Sequence, residues 1–219
     1  MKGNYSVTNY SNFKEKCARS DSIANDNIHF FSKNFAPFFG YLLHRLGFSP
    51  NACTFLFGVT GFASSISIYY EMGIVSYVCW RLHIILDMAD GNIARVSHKF
   101  SQSAVGFDRS LHIIINTSYL LFSMKSISSP FLLSLLTVTF YLYYFFDRNY
   151  IKEKSNSKNY SVWKNILKNI ISLEGFVLMT CILTTFKLDF YLYIIMLYSV
   201  GFCLLYILKL KMYISKNIY

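Results

Sequence analysis

Charge is scarce in this chain, and negative charge is the scarcest. Charged residues make up 15% of the 219 positions, with 11 Asp and Glu against 21 Lys and Arg. Soluble domains carry about 25% charged residues. Proline occurs only three times, whereas 54% of the residues are hydrophobic. This composition excludes an ordinary soluble domain and a disordered chain, and is typical of a protein with several membrane-spanning helices.

The sequence also lacks paired cysteines and the charge distribution of a nucleic-acid-binding protein. No two of the five cysteines are paired at metal-ligand spacing, and most lie in or beside apolar runs, so we expect buried free thiols and no disulfide framework. The net charge of +10 comes from basic residues in a few loops and at the termini. That distribution suits anionic lipid headgroups, and we expect no nucleic-acid partner.

Long apolar runs dominate what is present. Six segments are long enough to cross a bilayer, which takes about 20 residues, and they lie at residues 52–70, 74–96, 105–124, 129–147, 165–186 and 190–210. Before them, residues 28–48 carry phenylalanines at three- and four-residue steps, typical of an interfacial helix. A seventh span is the alternative. The sequence predicts an all-α integral membrane protein with six transmembrane helices preceded by an interfacial amphipathic helix.

The basic residues predict how this protein is oriented. We divide it into a polar cytoplasmic segment, an interfacial helix, a six-helix catalytic domain and a cytoplasmic tail, at residues 1–27, 28–48, 49–212 and 213–219. Cytoplasmic loops carry an excess of Lys and Arg. Here alternate connections are rich in them, and the opposite side holds only Lys125 and Lys187. Both termini are therefore expected to be cytoplasmic.

The second predicted span carries charges that a bilayer disfavours, at roughly 2.5–3.5 kcal/mol for each residue at its centre. In the stretch LDMADGNIAR, the residues Asp87, Asp90, Gly91, Ala94 and Arg95 follow steps of three, one, three and one. These positions share one face of a helix. The small residues between the acids and the arginine let another molecule approach the backbone closely.

The third predicted span supplies a matching face. Ala104, Asp108 and His112 follow one another at four-residue steps. If the two helices pack as an antiparallel pair, three carboxylates and one imidazole converge near the cytoplasmic surface. Carboxylates this close repel one another unless a cation shares them, and hard oxygen ligands suit Mg²⁺ or Mn²⁺.

These two faces resemble the signature of the CDP-alcohol phosphotransferase family, D-x2-D-G-x2-A-R-x8-G-x3-D-x3-D. Six of its eight positions are in register, at Asp87, Asp90, Gly91, Ala94, Arg95 and Asp108. The stretch from Ser49 to Thr54 (SPNACT) also resembles the T-P-N-x-x-T entry of that family to its first span. The two matches and the span count together cover about residues 30–210.

The resemblance implies an integral membrane enzyme with its active site near the cytoplasmic face. It would transfer a phospho-alcohol group, commonly phosphatidyl from CDP-diacylglycerol, to an acceptor hydroxyl and release CMP in phospholipid biosynthesis. The metal ligands implied are Asp87, Asp90 and Asp108, and the catalytic residues His112 and Asp108. The residues implied to contact the CDP-alcohol are Asn51, Gly91, Ala94, Arg95 and Ala104. The acceptor alcohol, and a homodimer against a monomer, stay open.

Two positions depart from the family signature. Ala104 stands where the family has its second glycine, and His112 stands where it has its fourth aspartate. Imidazole can act as the base that deprotonates an acceptor alcohol near neutral pH. It is a poorer ligand than carboxylate for Mg²⁺, which favours Mn²⁺ or a single tightly bound metal.

Other interpretations of the same residues remain open. His112 is catalytic, packs structurally, or marks an inactive homologue. A small ion or proton transporter would also place Asp and His inside the membrane. Weaker candidates for the site are Glu174 in the fifth span, Arg81 and His83 one to two turns before Asp87, and Arg148 after the fourth span.

Overall fold

The computed structural model describes residues 9–17, 30–99, 102–123, 125, 134–142, 172–188 and 190–217. Within these ranges the regular structure is helical, and no strand occurs. The helices are α1 (Tyr10–Cys17), α2 (Phe30–Arg45), α3 (Pro50–Tyr69), α4 (Gly73–Ser97), α5 (Gln102–Ser123), α6 (Leu173–Phe186) and α7 (Tyr191–Asn217), with a further helical segment at residues 134–142. The prediction of an all-α fold is confirmed for this part of the chain.

The predicted spans coincide with helices wherever the structure describes them. Helices α3, α4 and α5 begin and end within a few residues of the first three predicted spans, and α7 continues past residue 210 to Asn217. Among the described residues, only Pro50–Tyr69 has both the length and the hydropathy to cross a membrane, and Leu173–Phe186 and Met196–Leu208 are shorter apolar stretches. Six membrane spans therefore stay a prediction.

The chain divides into two compact units, of which the first comprises residues 1–67 and 75–118. Its N-terminal region contains α1, a helix that the sequence analysis did not predict. Phe13 is fully buried there, with its ring centroid 5.8 Å from that of Tyr41 and 5.7 Å from that of His44. The Asn9 side chain accepts a hydrogen bond from Asn12 N at 2.9 Å, as an N-cap does. The polar N-terminal segment thus contains an amphipathic helix of about two turns that docks on α2.

Helix α2 has the two faces expected of an interfacial helix. Ala36 and Gly40 are buried, whereas Phe35, Phe38 and Leu42 are exposed. A Cβ at Gly40 would lie 3.4 Å from Ala89 O, which shows how close α2 lies to α4. Its contact with a membrane surface stays a prediction.

Helix α3 lies close against both helices that carry the acidic residues. A Cβ at Gly61 would lie 2.7 Å from Ile115 of α5, and one at Gly58 would lie 3.3 Å from Leu111. On the other side, Ser64 Oγ donates to Ser76 O at 2.8 Å. Small residues let helices approach closely, so α3 packs tightly against both α4 and α5.

The second unit comprises residues 68–74 and 119–219. Helix α6 begins at a Ser172 N-cap whose hydroxyl accepts from Gly175 N at 3.2 Å. Glu174 is half-buried in the first turn of this helix, where a carboxylate complements the helix dipole. Glu174 therefore stabilises this helix end, and its role in the site stays a prediction.

Candidate metal centre

Three predicted site residues converge where α4 and α5 face each other. His112 Nε2 lies 3.1 Å from Asp87 Oδ1 and 3.5 Å from Asp108 Oδ1. One donor atom from each of the three residues lies within 4.8 Å of the other two. The side chains of His112, Asp108 and Asp87 are 21%, 27% and 34% exposed, so the cluster is half-buried and open to a ligand. The expected convergence of these two helix faces therefore occurs for three of the four groups.

Asp90, the fourth group, faces α3 instead. Its Oδ2 accepts a hydrogen bond of 2.7 Å from Thr54 Oγ1. Thr54 is buried, and its hydroxyl also lies 3.0 Å from the carbonyl oxygen of Pro50. A charge-assisted bond this short fixes the carboxylate one helical turn from Asp87. Thr54 was part of the SPNACT resemblance, but its partner was not foreseen.

His83 forms the wall behind His112. It is almost completely buried, and its Nδ1 lies 3.0 Å from the carbonyl oxygen of Phe57. Because a carbonyl only accepts, Nδ1 carries the hydrogen. The His83 ring lies 5.7 Å from the His112 ring, and Phe57 lies 5.1 Å from His112 on another side. The sequence analysis counted His83, one turn before Asp87, only among the weaker candidates, and it did not assign Phe57 to the site.

The residues expected to contact a nucleotide surround the cluster with different degrees of access. Arg95 donates through Nη2 to the side-chain oxygen of Asn92. Its guanidinium covers Gly91, since a Cβ there would lie 3.4 Å from Arg95 Nη1. Ala94 is buried, Ala104 is half-buried near the start of α5, and Asn51 is exposed in the first turn of α3.

Arg81, one of the weaker candidates, pairs with a side chain of its own helix. Arg81 Nε donates to the Tyr77 hydroxyl at 3.0 Å, and its guanidinium carbon lies 5.0 Å from the centre of that ring. This pair one turn apart on α4 gives Arg81 a local packing role. Arg148 falls outside the residues that the structure describes.

Comparison with known proteins adds no relative. The chain matches no protein-family model and no curated protein. The likeness to CDP-alcohol phosphotransferases thus depends on the spacing of the residues named above.

Proposed function

We propose that this protein is a metal-dependent CDP-alcohol phosphotransferase of the membrane. The observation that carries the proposal is the convergence of Asp87, Asp108 and His112 from two helices. Each stands at a position where the family signature has an acidic residue. The fold brings donor atoms from separate positions of the signature close together, as a shared metal ion requires.

The donor set fits a small divalent cation. Two oxygens on opposite sides of such an ion lie about 4.2 Å apart, given metal–oxygen distances of about 2.1 Å. The donor atoms here all lie within 4.8 Å of one another, so small side-chain rotations bring them to that spacing. Carboxylate oxygens suit either Mg²⁺ or Mn²⁺. The residues that would hold the cation are Asp87 and Asp108, with Asp90 one turn away.

The residues around the cation would position the phosphates and move one proton. When bound, the metal offsets the charge that develops on the phosphates. His112 Nε2 must leave its contact with Asp87 Oδ1 before it takes the proton of the acceptor hydroxyl, whose oxygen bonds to the β-phosphorus as the bond to CMP breaks. The rings of Phe57 and His83 pack against the imidazole of His112 and restrict its orientation. Arg95, steadied by Asn92, offers its guanidinium to a phosphate.

Exposed apolar side chains support the membrane part of the proposal. Helix α3 exposes Phe55, Val59 and Ile66, and α7 exposes Leu197 and Leu204. Lipid tails are the solvent that such surfaces prefer. We place both termini on the cytoplasmic side from the distribution of Lys and Arg. Resistance to alkaline carbonate extraction is expected, and release into the supernatant would contradict it.

The decisive experiment is CMP release from the purified protein in lipid nanodiscs. The substrates are radiolabelled CDP-diacylglycerol and a panel of acceptor alcohols, with Mn²⁺ or Mg²⁺. We expect CMP release that needs both metal and acceptor, that is lost in Asp87→Asn and Asp108→Asn, and that the matched exposed-acid control Glu15→Gln retains.

Two other results would redirect the assignment. Proton flux across proteoliposomes, with no CMP from any CDP-alcohol, would identify a transporter. Retained metal binding with neither activity, in protein that keeps its helical content, would identify an inactive homologue.

A further inference from the structure

A second site lies in the first unit, where the end of α2 turns into α3 beside the end of α4. There a cavity of about 150 Å³ opens to the surface. Its lining residues are His44, Gly47, Phe48, Ser49, Pro50, Ile93, Ser97 and Lys99. None of them belongs to the candidate metal centre. A water molecule takes up about 30 Å³ in the liquid, so the cavity has room for a tetrahedral oxyanion.

The lining of this cavity is basic. Lys99 and His44 contribute its two ionisable side chains, and no carboxylate lines it among the described residues. Burial, and after it the nearby charge of Lys99, lowers the pKa of His44. Phe13 covers one side of the imidazole at a ring distance of 5.7 Å. At neutral pH the positive charge of the cavity therefore comes from Lys99, and no carboxylate among its lining residues balances it.

Hydrogen-bond donors line the cavity beside the charged lysine. The Ser49 hydroxyl accepts from Ala52 N at 3.2 Å, so its own hydrogen stays available to donate. The neighbouring Ser97 hydroxyl already donates to Ile93 O at 2.7 Å. Helix α3 begins directly at this wall, at Pro50, with the positive end of its dipole. Cation, imidazole and hydroxyl thus come from three different elements.

We propose that this cavity binds a phosphate group, held by the Lys99 ammonium, the His44 imidazole and the Ser49 hydroxyl. The phosphate belongs to a lipid headgroup or to a small soluble phosphate, since both present the same oxygens. The site is separate from the metal centre and does not depend on the proposed enzymatic activity.

The test is a titration of the His44 imidazole by NMR in metal-free protein, in nanodiscs of phosphatidylcholine. The His44 signal is identified by its loss in His44→Gln. Inorganic phosphate is compared with chloride at equal ionic strength. A bound phosphate favours the imidazolium, so the pKa of His44 rises as phosphate is added.

Lys99→Gln separates a built site from general screening. Losing one charge-assisted contact raises the half-saturating phosphate concentration on the order of tenfold. The matched control is Lys14→Gln, which removes an exposed lysine of α1 and leaves the titration unchanged. An equal response in Lys99→Gln and in the unaltered protein would overturn the proposal.

A second arm identifies the source of the phosphate. Nanodiscs containing phosphatidylglycerol are used without inorganic phosphate. A higher pKa of His44 in these discs, abolished by Lys99→Gln, identifies a lipid headgroup as ligand. A response to inorganic phosphate alone identifies a soluble ligand. No response in either arm refutes the site.

Discussion

The hydrogen bond between Thr54 and Asp90 provides the sharpest test of the candidate metal centre. We consider Thr54→Val, which keeps the size and branching of the side chain and removes only the hydroxyl. The bond joins a buried residue of α3 to a carboxylate of α4 over 2.7 Å. Without it, the Asp90 carboxylate loses the donor that fixes its rotamer.

The expected loss follows from the strength of that contact. Hydrogen bonds to charged groups contribute about 1.5–3 kcal/mol. Each 1.36 kcal/mol is a factor of ten in rate, so kcat/KM for CMP release falls about 10- to 150-fold. Thr54→Ser keeps the hydroxyl and loses one methyl group, and we expect it to stay within about threefold of the unaltered protein.

The assay is CMP release at several Mn²⁺ concentrations, with helical content measured in parallel. A loss in Thr54→Val that Thr54→Ser does not share supports the role of the hydrogen bond. If Thr54→Val keeps more than half of the original kcat/KM, then Asp90 does not need its partner. An equal loss in both variants would show that packing, and not the hydroxyl, matters at this position.

Four further substitutions test the surroundings. We expect His112→Ala to slow CMP release about 10²- to 10⁴-fold with the half-saturating Mn²⁺ concentration unchanged; a parallel rise in that concentration would make the imidazole a ligand. Gly61→Ala overpacks α3 against α5, and we expect it to lower the free energy of unfolding by about 1–3 kcal/mol, measured by thermal unfolding. Gly106→Ala has open space around it, and we expect it to raise that free energy by about 0.5–1 kcal/mol. Phe13→Ala undocks α1, at about 3–5 kcal/mol. Burial raises the pKa of the Cys17 thiol to about 11, against the opposing effect of Arg95. We therefore expect undocking of α1 to speed the reaction of Cys17 with maleimide. An unchanged labelling rate in Phe13→Ala would contradict the docking.

The local periodicity of the sequence was enough to predict α2 to α7 and the convergence of three of the four site groups. The steps of three and four residues between Asp87 and Arg95, and between Ala104 and His112, require one face on each helix. Two such faces on consecutive helices have to meet if the helices pack together. That is why the cluster of Asp87, Asp108 and His112 was foreseeable.

The remaining site contacts depend on packing between distant segments. Thr54 and Asp90 are 36 residues apart, and His83 contacts Phe57 across 26. No local pattern specifies which hydroxyl or which ring a neighbouring helix presents. Helix α1 was missed for a different reason: its apolar face consists of Tyr10, Phe13 and Cys17 among polar residues. Their spacing of three and four residues was the available signal.

Because α1 docks on a part of the chain that is made later, its packing cannot be complete when it is synthesised. The Cys17 thiol lies 3.9 Å from the carbonyl oxygen of Asn92, a contact between residues 75 positions apart. At about 5–20 residues per second, the ribosome needs about 4–15 s to make the intervening chain. Helix α1 therefore cannot complete its packing until α4 has been synthesised.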